Sequence, residues 1–338
     1  MNSTPFRVGI IGAGSIAELH AAAVTRAGHR VVAVCDVREK AADRLASTYE
    51  ARGYTDHRRL LAEAEVDGVI ITVPHALHAP IALDAIAAGT HVLVEKPLAV
   101  RPAEAHRIIA AAQAAGVVVA VGHVLHFMPN LVAADELIRS GAIGAPVLLT
   151  ERRASDYSDG SRPDWFFDPA IAGGGILMNV GTHAIDRIQW FGGSPIVRAH
   201  GFVAARPGSR VETEVMSVFE LANGARASLT VTGTGLPFTE VMSVVGETGA
   251  LTVERGHGVR LFIGGNLQDT IAPGDDDTST AFADQFLDFV HAATSADRPR
   301  VSAQYGLEVL EVAQAVYESA RRGEPVDVPA RVTEEVAA

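Results

Sequence analysis

The sequence predicts an α/β protein in two parts. A parallel-sheet domain occupies residues 1–125, an α+β domain with a large, mostly antiparallel open sheet occupies 126–330, and a tail follows at 331–338. Three observations predict this. Short apolar runs alternate with helical stretches up to about residue 125, which is the pattern of βαβ units whose sheet is covered on both faces. A glycine-rich turn, Gly12-Ala13-Gly14, follows the first apolar run and opens the first helical one. Beyond residue 125 strand-like runs succeed one another with few helices between them, as an antiparallel sheet requires.

Taken in order, strands are expected at Arg7–Ile11, Arg30–Cys35, Gly68–Val73, His91–Val94 and Val117–Val121. Their continuous apolar character fits burial on both faces. The stretches Ile16–Ala27, Glu39–Ala51, Ala79–Ala88 and Pro102–Ala115 read as the intervening helices. In the second part a helix over Asn130–Ser140 precedes strands at Val147–Arg153, Ile196–Val203, Glu214–Leu221, Ala225–Thr232, Glu240–Val245 and Ala250–Glu254. Asn223-Gly224 is a strong hairpin signal, and Gly246-Glu247-Thr248-Gly249 reads as a second turn. Helices near Ala281–Ala293 and Ala303–Arg322 and a short strand Pro325–Val328 close the chain. Asp275-Asp276-Asp277 reads as a solvated loop, and the residues after Arg331 as a frayed terminus.

Composition narrows the function. The 338 residues are enough for two cores, and 48% apolar with 20% charged residues is the balance of a globular protein. Lys plus Arg number 28 against 40 Asp plus Glu, a formal charge of −12 that argues against a nucleic-acid surface or an anionic membrane. No run approaches the roughly 20 apolar residues of a membrane span. The chain enters a strand within a few residues of Met1, which leaves no room for a signal peptide, so a cytoplasmic location is expected. Cys35 is the only cysteine, so no internal disulfide or cysteine-based zinc site is possible, and a small buried hydrophobe is its expected role.

The chemistry begins at the glycine turn. Gly12-Ala13-Gly14-Ser15-Ile16-Ala17 has the G-x-G-x-x-A form of a Rossmann turn, following a strand and opening a helix. Gly12 allows the tight turn, Gly14 lets the backbone approach a pyrophosphate, and Ala17 permits close packing of helix on sheet. Asp36 ends the next strand and can accept hydrogen bonds from ribose hydroxyls, which favours NAD; Arg38, two residues on, suits the 2′-phosphate of NADP. Residues 91–97, His-Val-Leu-Val-Glu-Lys-Pro, form a strand that ends in Glu95-Lys96-Pro97. The carboxyl end of a buried strand faces the ligand crevice of such a sheet, and Pro97 stiffens the corner that carries the Lys96 ammonium.

With this turn, Glu95-Lys96-Pro97 and the block Gly173-Gly174-Gly175-Ile176-Leu177-Met178-Asn179-Val180-Gly181-Thr182-His183-Ala184-Ile185-Asp186, the chain resembles the Gfo/Idh/MocA oxidoreductases, relatives of glucose–fructose oxidoreductase and inositol dehydrogenase. The resemblance covers nearly the whole chain. It implies a Rossmann domain followed by an α/β domain whose open sheet supports a homodimer or homotetramer. It also implies a nicotinamide cofactor and a sugar, sugar derivative or cyclitol as substrate. Lys96 matches the family's active-site lysine, before a proline whose bond is cis in such a site, and His183 its acid/base histidine. Pro74 and His78 match a segment along the cofactor near the nicotinamide. The cofactor set is then Gly12, Gly14, Ser15, Ile16, Asp36, Val37, Arg38, Pro74, His78, Glu95 and Lys96. Two positions depart from the family pattern. Asn179 stands where many members carry aspartate, and His126 where arginine is frequent.

The residues themselves suit oxidation of a secondary alcohol. His183 can take and return a proton near neutral pH. Lys96 favours a developing alkoxide. Asn179, four residues before His183, shares its face on a helix and can orient the hydroxyl, though it cannot act as a base. Gly173–Gly175 suggests a close approach of cofactor or sugar. Tyr157 and Trp165, with Arg152, Arg153, Asp156 and Arg162, form a candidate sugar-binding rim, so the substrate set is Lys96, His126, Tyr157, Trp165, Asn179 and His183. His75 and His78 lack the further ligands of a metal site, and no metal is expected. The expected activity is hydride transfer between NAD(P) and a ring hydroxyl or ketone. An NAD-dependent glycoside-cleaving enzyme and a non-catalytic dinucleotide-binding sensor are the alternatives.

Overall fold

A computed structural model describes residues 4–158, 160–233, 237–274, 277–295 and 297–329; Asp275, Asp276 and the tail at 331–338 lie outside the described residues. The chain divides into two units, and the division is not linear along the sequence. One runs to Ala133 and also takes in Asp168–Gly173 and Pro273–Leu307; the other comprises Ala134–Phe167, Gly174–Ala272 and the chain from Glu308.

In the first unit the order is β1 (Arg7–Ile11), α1 (Ser15–Arg26), β2 (Arg30–Cys35), α2 (Glu39–Thr48), β3 (Arg52–Tyr54), α3 (His57–Glu63), β4 (Gly68–Ile71), α4 (His78–Ala87), β5 (His91–Glu95), α5 (Pro102–Ala115) and β6 (Val119–Gly122). The strands pair in parallel in the order β3-β2-β1-β4-β5-β6, so the order reverses between β1 and β4. Every residue of β4 is buried, and Val8, Ile10, Ile70 and Leu93 have no exposure, as expected for a sheet covered on both sides. β3 and α3 escape sequence reading for a physical reason. β3 is three residues long, and α3 buries only Leu60, so neither shows a periodic apolar pattern.

The second unit contains α6 (Pro129–Arg139) in its larger part, then β7 (Pro146–Ala154). A short α7 (Pro169–Ala172) belongs to the first unit. A π-helical turn, Leu177–Gly181, leads into α8 (Thr182–Gly192). Then follow β8 (Ile196–Ala204), β9 (Glu214–Leu221), β10 (Arg226–Thr232), β11 (Thr239–Gly246), β12 (Gly249–Glu254), β13 (Gly258–Ile263) and β14 (Asn266–Ile271). α9 (Asp277–Thr294), α10 (Ala303–Arg322) and β15 (Val326–Asp327) complete the chain. Among the described residues the sheet is nine-stranded, ordered β14-β13-β12-β11-β7-β10-β9-β8-β15, and only β7 with β10 is parallel. Asn223-Gly224 makes the β9–β10 hairpin, with Gly224 at φ 91°, and β11 and β12 pair antiparallel across residues 246–249. β13 and β14 are additions to the strands expected; β14 is exposed on both faces and carries no alternation to betray it.

α9 lies far along the chain yet completes the core of the first unit. Phe286 and Phe289 have no exposure and cluster with Phe6, Val8 and Ile10. Phe289 meets Phe6 edge to face at 6.0 Å. A Cβ on Gly68 would fall within 3.0 Å of both rings, which is why β4 begins with glycine. Phe289→Ala therefore removes a fully buried ring from the centre of this cluster. It is expected to cost about 3–5 kcal/mol in a urea-unfolding measurement.

Candidate active site

The dinucleotide turn is built at the reversal of strand order. Gly12 has φ 103°, and a Cβ there would stand 2.5 Å from the Thr72 carbonyl oxygen, so both its backbone and its surroundings require glycine. Gly14 is different. Beyond its chain neighbours, no atom of the described residues lies within 4 Å of where its Cβ would be, and as N-cap of α1 it offers no side-chain cap to the helix. A residue without a side chain, facing open space at a helix start, leaves room for an anionic group on the N–H donors. Asp36 closes the turn from β2. Its carboxylate accepts the Ala13 N–H at 2.9 Å and the Arg38 N–H, Nε and Nη2 at 2.9, 3.0 and 3.1 Å. Burial would raise this carboxyl, but the bonds from Arg38 and Ala13 outweigh it and hold it below its ordinary value. Val37 beside it is 88% exposed, an apolar side chain presented at the strand end. These residues fit a dinucleotide.

The ends of β4 and β5 form the second part of this unit's site. The Lys96–Pro97 bond is cis. His78 is fully buried, with Nδ1 2.7 Å from the Pro97 carbonyl and Nε2 2.9 Å from the Val73 carbonyl. It ties the loop after β4 to the corner after β5, leaving no ring nitrogen for a ligand. His75 is held by its Nδ1 at 2.8 Å from the Ala172 carbonyl, and burial, with the charges of His78 and Lys96, pushes its pKa well down. Glu95 accepts the Lys96 N–H at 3.2 Å and bonds His20 of α1 at 2.9 Å. His126 is buried, edge-on to Tyr305, and its carbonyl accepts from Arg300 at 2.7 Å.

Asn179, His183, Tyr157 and Trp165 belong to the second unit. Asn179 sits in the π-helical turn, not in a regular α-helix as its spacing from His183 suggested; such turns often mark functional sites. Asn179 is buried, and the Tyr157 hydroxyl, which donates to the Phe166 carbonyl at 3.4 Å, is pushed up to about 12 by burial. His183 is half-buried on the first turn of α8. Trp165 stacks on Phe166 at 3.7 Å, while Arg162 lies over Tyr157 and donates to the Ser155 hydroxyl at 2.8 Å.

The triple glycine has a structural cause that differs from close approach of a ligand. A Cβ on Gly173 would meet Val100, one on Gly174 the Tyr317 hydroxyl, and one on Gly175 the Glu212 carbonyl. Glu212 is the residue that sequence reading missed. Its carboxylate accepts the Gly175 and Leu177 N–H groups at 2.8 and 3.0 Å and the Tyr317 hydroxyl at 2.6 Å. It thus takes up free N–H groups at the start of the segment carrying Asn179, while burial raises its own pKa. A glutamate in a polar loop 37 residues from its partner leaves no local signal.

A buried charge cluster anchors α8 from below. Arg187, one turn beyond His183, pairs with Glu151 of β7 and, at 2.7 Å, with Glu240 of β11; Arg153 also meets Glu240 at 2.7 Å. All four side chains are almost wholly buried. Arg153 was expected in a sugar-binding rim; its guanidinium lies instead inside the second unit. Burial would raise the Glu240 carboxyl, but two guanidiniums hold it down at about 2. Burial dominates at Glu151, one of whose oxygens has no hydrogen-bond partner, and pushes it up to about 7.

The comparisons with known proteins agree with this geometry. Residues 6–123 match the family model described as an oxidoreductase family with an NAD-binding Rossmann fold, and residues 131–252 match the Gfo/Idh/MocA C-terminal domain. The chain is 31% identical to the D-glucoside 3-dehydrogenase of Escherichia coli K12 over 60% of its own length and 59% of that relative. It is 29% identical to an inositol 2-dehydrogenase of Rubrobacter xylanophilus over 75% of its length and 72% of that protein. The crystal structure of GenD2 from gentamicin A biosynthesis in complex with NAD is similar, with a TM-score of 0.86, 27% identity and 97% of both chains covered.

Opposite shifts in the α8 cluster give stability a defined pH dependence. Glu240 titrates below its unfolded value of 4.5, so its contribution is present above that pH and lost as pH falls towards 2. Glu151 titrates above 4.5, so its contribution is present below that pH and lost as pH rises through about 7. The melting temperature is expected to fall between about pH 5 and pH 8. Glu151→Gln, which keeps the shape and cannot ionise, should flatten that fall when Tm is measured across the same range.

Proposed function

The chain belongs to the Gfo/Idh/MocA oxidoreductases, and from that premise we propose that it is a dehydrogenase. It transfers hydride between NAD and a secondary hydroxyl or ketone of a sugar, sugar derivative or cyclitol. The observation that carries this reading is Lys96, at the end of β5 in the unit that carries the dinucleotide turn. The chain has only two lysines among its 28 Lys and Arg residues. Lys40 is exposed on α2, and Lys96 is the other. An ammonium is a compact charge able to give up its proton, whereas a guanidinium does neither.

In this reading Lys96 stabilises the alkoxide that forms as the hydroxyl is oxidised, and His183 takes the hydroxyl proton. Asn179 orients the hydroxyl through its amide. When bound, the nicotinamide supplies the acceptor or donor of hydride at the reacting carbon. Asp36 supports NAD, because a 2′-phosphate would meet its carboxylate and would have to draw Arg38 away from it. Trp165 and Tyr157 supply apolar faces for a sugar ring.

The protein acts as a homodimer or homotetramer in the same reading. One face of the nine-stranded sheet carries Phe202 at 63% exposure, Met216 at 61% and Val218 at 55%, with Leu148 and Val245 paired beside them. An apolar sheet face of this kind marks an association surface.

Two measurements test the proposal. Purified protein with NAD or NADP, offered a panel of sugars, sugar acids and inositols, should show reduced-nicotinamide absorbance with at least one of them. Lys96→Ala should lower that turnover about 10²–10³-fold while leaving NAD affinity nearly unchanged. Unchanged turnover would remove Lys96 from the chemistry. By sedimentation, the wild type should be a dimer or tetramer, and Phe202→Asp with Met216→Lys should shift it towards monomer.

A further inference from the structure

One buried pair in the first unit is unused by this mechanism. His20 lies on α1, the helix whose start faces the dinucleotide crevice, and its ring is 1% exposed. Nε2 stands 2.9 Å from Glu95 Oε1, whereas Nδ1 is buried without a hydrogen-bond partner among the described residues. A carboxylate oxygen only accepts, so Nε2 carries the proton of this bond and donates it to Glu95. Phe282 of α9 packs edge-on against the ring at 4.9 Å and fixes its plane. The other oxygen of Glu95, Oε2, accepts the backbone N–H of Lys96 at 3.2 Å.

Room for this carboxylate is built into the neighbouring strand. A Cβ on Gly122, at the end of β6, would stand 3.0 Å from both Cδ and Oε1 of Glu95. Burial would raise the Glu95 carboxyl, but the bond from His20 and the nearby positive charge of Lys96 bring it below its ordinary value. A charged carboxylate with this little solvent must be fully hydrogen-bonded, and its two oxygens reach two different elements. Its partners are α1 on one side and the Lys96 backbone on the other.

We propose that His20 and Glu95 are positioning residues. Together they link the helix that receives the dinucleotide to the strand end that aims the Lys96 ammonium. The inference rests on the dehydrogenase reading for its kinetic consequence, and on geometry alone for its spectroscopic one. Binding at the start of α1 and the placement of Lys96 are then mechanically joined through one buried hydrogen bond.

The two lysines of the chain make the test direct. Protein labelled with 13C at lysine Cε gives one resonance for Lys40 and one for Lys96, assigned with Lys40→Arg. His20→Phe keeps the ring and removes the donor; His20→Gln supplies an N–H in its place. In His20→Phe the Lys96 resonance should move, its response to added NAD should be lost, and the Lys40 resonance should stay. His20→Gln should restore both features. With a substrate from the panel, His20→Phe should lower kcat at least tenfold with little change in KM for NAD, and His20→Gln should recover most of it. A Lys96 resonance, NAD response and kcat all unchanged in folded His20→Phe would overturn the proposal. If His20→Phe does not fold, Glu95→Gln, equal in size and uncharged, decides by the same resonance. If the panel gives no turnover, the dehydrogenase reading fails while the NMR comparison still tests the link.

Discussion

A parallel sheet gathers the carboxyl ends of all its strands along one edge, and the candidate site residues Gly12, Asp36 and Lys96 of the first unit lie along that edge. The strand order reverses between β1 and β4, so the loops that follow them diverge and leave a crevice. The divergence depends on one contact. The Thr72 carbonyl occupies the space that any side chain at residue 12 would need. With Gly12 in place, the turn passes beneath Thr72 and α1 begins at the crevice. Asp36 can then reach the Ala13 N–H from the neighbouring strand. Lys96 arrives at the same edge because β5 is the next strand beyond β4.

The second unit solves a different problem, that of holding one segment still. The stretch from Gly174 to Gly192 carries Asn179 and His183, and buried charge grips it at both ends. Glu212, to which the Tyr317 hydroxyl donates, takes the N–H groups at its start, while Glu151 and Glu240 take Arg187 towards its finish. Apolar packing alone tolerates small rotations of a helix; a guanidinium between two buried carboxylates does not, because a misaligned charge is left without a partner. The desolvation of these groups is costly, and Glu151 shows that cost in its raised titration. What the cluster contributes is a single orientation of α8.

Both units use the same device at their candidate site residues. Lys96 and Asn179 each lie in a segment from which a carboxylate, Glu95 or Glu212, accepts backbone N–H groups. In each case a side chain from a distant element, His20 or Tyr317, holds that carboxylate in place. The glycines at 122, 174 and 175 are explained by the same arrangement, since a side chain at any of them would collide with a carboxylate, its backbone or its hydroxyl partner.

The sequence by itself determined the parallel sheet, the dinucleotide turn and the strand end at Lys96. β1, β2, α5, β9 and α10 lie where their apolar runs and flanking turns placed them. These features are local: a glycine at a tight turn or an apolar run of buried-strand length is constrained by its immediate neighbours in the chain. The tertiary structure decided the rest. β14 has no apolar alternation, and the π-helical turn at Asn179 has no periodicity that separates it from an α-helix. The return of α9 to the first core depends on Phe286 and Phe289 meeting Phe6, some 280 residues away. His20, Glu212 and Arg187 look like ordinary polar residues in the sequence. Their parts are set by partners 75, 37 and 36 residues distant, and an interaction between distant residues exists only once the chain has folded.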